Sequence, residues 1–228
     1  MIILREPAQV RGLVLLAKKK GNFVMLAFAL AVFFLIITPG PGVLSTAGVG
    51  SAFGYNAGIR YVIGLFIGTN LVCLAVITGL AAALFSLPVI RIILFSLSTA
   101  YLFYLAARIA FAGAKISFIE AQKRPGIGAG ILLQLINPKA YAVNTALFTS
   151  FLFAPDNFLF ETGTKLIIMN MIWIPLHLIW LAAGVRLHRL NLSATTQRRI
   201  NIAMALSLVI VVILAVGSVF AEFSGITL

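Results

Sequence analysis

The sequence predicts an all-α polytopic membrane protein: six transmembrane helices arranged as two inverted three-helix repeats, with the first and fourth helices broken by proline. Three observations predict it. Of the 228 residues, 62% are hydrophobic and only 10% are charged, and the mean hydropathy is +1.12. No soluble core can enclose that much apolar surface, so lipid must be the solvent. Six apolar stretches follow one another, most of them near the ~20 residues that span a ~30 Å hydrocarbon layer. Finally, Thr38-Pro39-Gly40-Pro41-Gly42 breaks off the first stretch and Asn137-Pro138 interrupts the fourth, at matching positions.

The stretches cover residues 22–37, 60–85, 89–111, 128–153, 165–185 and 200–221. The first is short, since Phe23 to Ile37 makes only about 22 Å of helix. Two prolines and two glycines then remove backbone donors and weaken the helical preference. Either the helix resumes past Gly42 through Val43–Phe53, or the segment is re-entrant. A signal peptide is a competing reading: Lys18-Lys19-Lys20 resembles a basic leader and Ser45-Thr46-Ala47 a small-residue cleavage site. The prolines fit a polytopic protein better. The chain therefore divides into a basic tail (1–21), a first half (22–112), a basic loop (113–127) and a second half (128–222), with 22–222 forming one transport domain.

Basic residues set the orientation. Lys115, Lys123 and Arg124 follow the third stretch, and Arg186, Arg189, Arg198 and Arg199 follow the fifth. The positive-inside rule puts both loops in the cytoplasm, and they are two crossings apart. Arg5, Arg11 and Lys18–Lys20 lie three crossings from the first basic loop, so either the tail is carried across or the first segment does not fully cross. Six full helices with the tail outside agree with the other loops.

The halves echo each other about a hundred residues apart. Ile36-Ile37-Thr38-Pro39 answers Leu135-Ile136-Asn137-Pro138, Asn70 answers Asn170, Leu80-Ala81-Ala82 answers Leu181-Ala182-Ala183, and Arg91-Ile92 answers Arg199-Ile200. Three crossings per half is odd, so the second copy is inverted. Inverted repeats with interrupted helices are the pattern of secondary transporters, which hold substrate near the midplane between the copies.

Composition narrows the chemistry. The net charge of +12 sits in loops and tail and leaves no aromatic-basic surface for nucleic acid. Cys73 is the single cysteine, so neither a disulfide framework nor a thiolate metal cluster is available, and no cofactor is expected. The acidic residues Glu6, Glu120, Asp156, Glu161 and Glu222 all fall outside the middle of the predicted spans, which argues against paired-carboxylate chemistry and a buried acidic relay. An enzyme would need a nucleophile–base set or a metal cluster, and His177 and His188 do not supply one. A passive channel or a non-transporting scaffold is the alternative to a transporter.

Lys139 is the most informative side chain. A lysine deep in a membrane helix costs about 2.5–3.5 kcal/mol on insertion scales and marks a functional position by default. Beside the Asn137-Pro138 break, Lys139 and helix-end N–H groups would attract a substrate carboxylate; snorkelling to the interface is the bland alternative. Asn70, Asn137, Asn144 and Asn170, with carbonyls freed at Thr38, Pro39, Gly40 and Pro41, are candidates for an ammonium group. Such amides also bridge helices, for about 0.6 kcal/mol on average. His177, two residues after Pro175, is the candidate for proton coupling, against a neutral histidine bonded to a neighbouring carbonyl. Gly50, Gly54, Gly58, Gly64 and Gly68 mark either close packing within one chain or a homodimer face.

Four stretches in order carry a family likeness: Thr38-Pro39-Gly40-Pro41; Gly54-Tyr55-Asn56-Ala57-Gly58-Ile59-Arg60 running into Gly64 and Gly68; Ala100-Tyr101-Leu102-Phe103-Tyr104-Leu105 followed by Arg108; and Asn137-Pro138-Lys139-Ala140. Over residues 23 to 222 the sequence resembles the LysE/RhtB family of bacterial amino-acid exporters. The resemblance implies six helices in the bacterial inner membrane and proton-driven export of amino acids or related small zwitterions. Two features depart from the family. Gly42 stands where members usually carry a polar side chain, and the tail before Gly21 resembles an extension.

Overall fold

The computed structural model describes residues 8–38, 40–111, 124–190 and 192–224. Pro39, Arg5 of the tail and Lys115 and Lys123 of the first basic loop lie outside them. The described residues are helical with no strand. Eight helices follow in order: α1 (Ala8–Ile37), α2 (Pro41–Ile77), α3 (Leu80–Phe85), α4 (Pro88–Ala110), α5 (Ile127–Ile136), α6 (Pro138–Ser150), α7 (Phe158–Arg189) and α8 (Ala194–Ser224). Among the described residues, four helical segments are long and apolar enough to cross a membrane: Lys19–Ile37, Pro41–Ile77, Ile92–Ala110 and Phe158–Leu187.

The helix does resume past the first break. Pro41 opens α2 at its first position, where a proline's missing N–H and fixed φ suit a helix start. Further on, Gly54 has φ 77° and ψ −172°, a conformation that favours glycine. Tyr61 Oη donates to Ser45 Oγ at 3.1 Å, although sixteen residues of straight helix would separate them by about 24 Å. The chain therefore turns sharply at Gly54, and the two arms of α2 fold towards each other.

Contacts along α7 give the course of both arms. Gly42 faces His177 and Gly50 faces Leu181 and Val185, so the first arm runs with α7; Gly58 faces Leu181, Asn70 meets Asn170 and Cys73 meets Met169, so the second arm runs back along it. A re-entrant first segment does not fit this course. The path α1 to first arm also lies antiparallel to α5–α6: Phe28 packs on Phe151, Lys139 reaches Thr38 and Gly42 faces Gln134.

Burial is arranged for lipid. Phe23, Leu159 and Met171 are exposed, whereas Ser45, Thr46, Ser51, Gln134, Asn137 and Lys165 are buried. The inner polar groups are satisfied pairwise, as a dry interior requires. Ser51 Oγ donates to Asn201 Oδ1 at 3.2 Å, and Tyr101 Oη donates to the Ala129 carbonyl at 2.9 Å.

The glycine face is filled from within the chain. Gly64 and Gly68 lie against Ile127, Ile131 and Gln134 of α5, while Gly50 and Gly58 lie against Leu181 of α7. Gly54 is the turn. Gly64 and Gly130 face each other backbone to backbone, and a methyl on either would overlap the opposite helix's main chain. Overpacking of this kind costs about 1–3 kcal/mol. Gly64→Ala is expected to lower the melting temperature of the purified protein accordingly; an unchanged melt would show that α2 and α5 can separate freely.

The start of α7, the fifth predicted stretch, differs from the expectation. The predicted stretch begins at residue 165 and leaves Glu161 before it, but α7 begins at Phe158 and carries Glu161 buried in its first turn. Asn157 explains the earlier start: its side chain accepts from the Phe160 N–H at 3.0 Å, an N-cap. Lys165 Nζ pairs with Glu161 Oε1 at 2.8 Å and donates to the Phe148 carbonyl at 3.0 Å. Glu161 Oε2 accepts from the N–H groups of Phe153 and Ala154 at 3.0 and 2.7 Å. A buried carboxylate is therefore present, fully engaged in tying the end of α6 to the start of α7.

Candidate functional site

Four helix ends converge where the two breaks meet. α1 ends at Ile37, and Thr38 turns its hydroxyl back onto the Phe34 carbonyl at 2.6 Å. α2 starts at Pro41 after Gly40 in extended geometry. The hydroxyls of Ser45 and Thr46 both donate to the Gly42 carbonyl, at 2.9 and 2.8 Å, fixing the first turn. α5 ends at Asn137, and α6 starts at Pro138 with Asn137 as its N-cap, Oδ1 accepting from the Lys139 N–H at 3.1 Å. Two helix C-termini thus present carbonyls, and two N-termini present amide N–H groups.

Lys139 joins the two breaks. Its Nζ donates to the Thr38 carbonyl at 3.3 Å. The ammonium rests over Gly40, where an added methyl would stand 2.8 Å from Nζ. Glycine there is what seats the lysine. The Thr38 carbonyl belongs to the negative end of α1, so helix dipole and ammonium reinforce each other.

Behind this contact lies a cavity of about 80 Å³, several times the ~10–15 Å³ that one water needs. Its polar lining includes Thr38, Thr69, Gln134, Asn137, Lys139 and His177, and its apolar lining includes Leu35, Val143, Leu147 and Met169. The amides are chained: Asn137 Nδ2 donates to Gln134 Oε1 at 3.3 Å, and Gln134 Nε2 donates to Thr69 Oγ1 at 2.6 Å. His177 is stacked on Trp173, with ring centroids 3.6 Å apart. Its Nδ1 lies 3.0 Å from the Trp173 carbonyl, so Nδ1–H donates there and Nε2 is left directed towards Gly42.

The sequence candidates separate into two groups. Thr38, Gly40, Pro41, Asn137, Lys139 and His177 line the cavity, together with Asn144, whose Oδ1 accepts from the Cys73 thiol at 3.2 Å. Pro138 stands at the start of α6, and Pro39 is outside the described residues. Asn70 and Asn170 are not in the lining. They bond each other reciprocally, at 3.2 and 2.9 Å, and so bridge α2 to α7. Gln134 and Thr69 were not anticipated. Gln134 lies three residues before Asn137, and a polar amide on the same helix face is the signal that points to it.

A family model described as LysE type translocator matches residues 33–221, a span that takes in both breaks and the whole cavity lining. The chain belongs to the LysE type translocator family. It is a transporter rather than an enzyme, a multi-pass protein of the bacterial inner membrane. A curated relative, the leucine efflux protein of Enterobacter sp. (strain 638), is 27% identical over 154 residues, covering 62% of this chain and 68% of the relative. No solved structure matches this chain. Family and relative together support amino-acid export in general.

Proposed function

We propose that this LysE type translocator is a secondary active exporter of amino acids, driven by the proton gradient and working by alternating access at the cavity between the breaks. Its six crossings form two inverted three-helix repeats, 22–112 and 128–222, within one transport domain. The antiparallel course of the two broken paths supports this arrangement, as does the reciprocal pairing of the repeat equivalents Asn70 and Asn170.

The observation that carries the reading is the Lys139–Thr38 contact beside the cavity. An ammonium on Lys139 and a helix-end carbonyl at Thr38 are the complements of a zwitterion's two ends. They satisfy each other across the two breaks. An entering amino acid separates them: its carboxylate takes Lys139 and the first amides of α2, and its ammonium takes the Thr38 carbonyl. Leu35, Val143, Leu147 and Met169 then receive an apolar side chain, which fits a relative named for leucine efflux. His177 exchanges the coupled proton at Nε2.

Purified protein in proteoliposomes is expected to accumulate apolar amino acids against their gradient when a pH gradient is imposed. Movement that only dissipates a gradient would favour a passive channel, and no movement of any amino acid would contradict export.

A further inference from the structure

Most glycines on the inward faces of the helices are demanded by packing. A methyl on Gly58, Gly64, Gly130 or Gly184 would overlap a neighbouring helix, and on Gly48 or Gly68 it would press into Ile109 or Gln134. Gly42 differs. A methyl there would stand 3.5 Å from His177 Nε2 and 3.9 Å from Gln134 Nε2, which is ordinary van der Waals contact. Gly42 is also not among the positive-φ glycines, Gly54 and Gly79. Neither packing nor backbone conformation requires glycine at position 42.

What the missing side chain does provide is room. Gly42 lines the cavity beside the buried ends of His177 and Gln134, on a first turn already fixed by Ser45 and Thr46. A side chain added at this site would narrow the cavity at the wall that Gly42 shares with His177 and Gln134.

We infer that Gly42 sets the upper size of the amino acid that the cavity admits. This rests on the amino-acid export reading and goes beyond it by naming the residue that fixes selectivity. In a pocket of this kind, one or two carbon atoms change discrimination on the order of tenfold or more.

The test is export of alanine, leucine and phenylalanine by the intact protein and its Gly42→Ala and Gly42→Val variants in proteoliposomes, with melting temperatures measured alongside. Leucine and phenylalanine export is expected to fall about tenfold or more in Gly42→Val and by less in Gly42→Ala, while alanine export stays within about twofold. An unchanged leucine-to-alanine ratio in both variants overturns the inference, as does an equal loss for all three substrates by Gly42→Ala at an unchanged melting temperature. A wild-type protein that moves none of the three overturns the export reading, and the size assignment with it.

Discussion

Replacing Lys139 by methionine is expected to reduce amino-acid export about 10–100-fold in apparent affinity, with the protein still folded. The magnitude follows from removing one charge-assisted contact to a carboxylate, about 1.5–3 kcal/mol. Methionine keeps the aliphatic stem, and the α6 cap at Asn137 uses only the Lys139 main chain, so packing around the break survives. Gly40→Ala provides a second route to the same effect. Its methyl would stand 2.8 Å from Nζ and 3.2 Å from Cδ of Lys139, displacing the ammonium without removing it. A smaller loss than in Lys139→Met is expected, read as a rise in KM for export with little change in the maximal rate. Export by Lys139→Met within about twofold of wild type would mean that the ammonium only ties the breaks together.

Glu161→Gln is expected to have the largest effect on stability. Glu161 and Lys165 are both buried, and removing one partner of a buried pair costs about 3–5 kcal/mol because the other charge is left uncompensated. At about 2–4 °C per kcal/mol for a chain of this size, the melting temperature should fall by roughly 6–20 °C. The double variant Glu161→Gln, Lys165→Met removes both charges and should recover part of the loss, since exchanging a whole buried pair is often close to neutral. The N–H groups of Phe153 and Ala154 keep an amide acceptor in either case. A double variant less stable than Glu161→Gln would show that the pair is favourable beyond charge neutrality.

The sequence was most legible where covalent chemistry is local. Proline and glycine at 38–42 and 137–138 announce the interruptions directly, because a missing N–H or Cβ acts on the backbone it belongs to. Hydropathy placed the third stretch at 89–111, within a residue of α4. The sharp turn at Gly54 was less visible, being one glycine in a series whose other members serve packing. Partners across the fold were not legible either. Gln134 finds Thr69 and Asn70 finds Asn170 over separations of 65 and 100 residues, and nothing within a single stretch fixes which helix will lie opposite. The Glu161–Lys165 pair could have been read from its i,i+4 spacing. Reading it requires Asn157 as the cap that starts α7. For His177, the facing direction depends on the phase of α7 around Pro175, which the sequence leaves open.

The conformational logic follows from the same residues. In the proposed mechanism, the Lys139 ammonium on the Thr38 carbonyl ties the two broken paths together, and a bound zwitterion would replace that single contact with two. Exchange of one contact for two is a differential interaction of the kind that can shift a population between states.

Substrate protection of a thiol placed in the cavity is the most direct measurement. In a Cys73→Ser background, Val143→Cys lines the cavity and Asp156→Cys, the control position, lies in the exposed turn before α7. Maleimide labelling at 143 should slow several-fold when leucine is present at saturation, with labelling at 156 unchanged. Equal labelling at 143 with and without every amino acid the protein exports would contradict a substrate site between the two breaks.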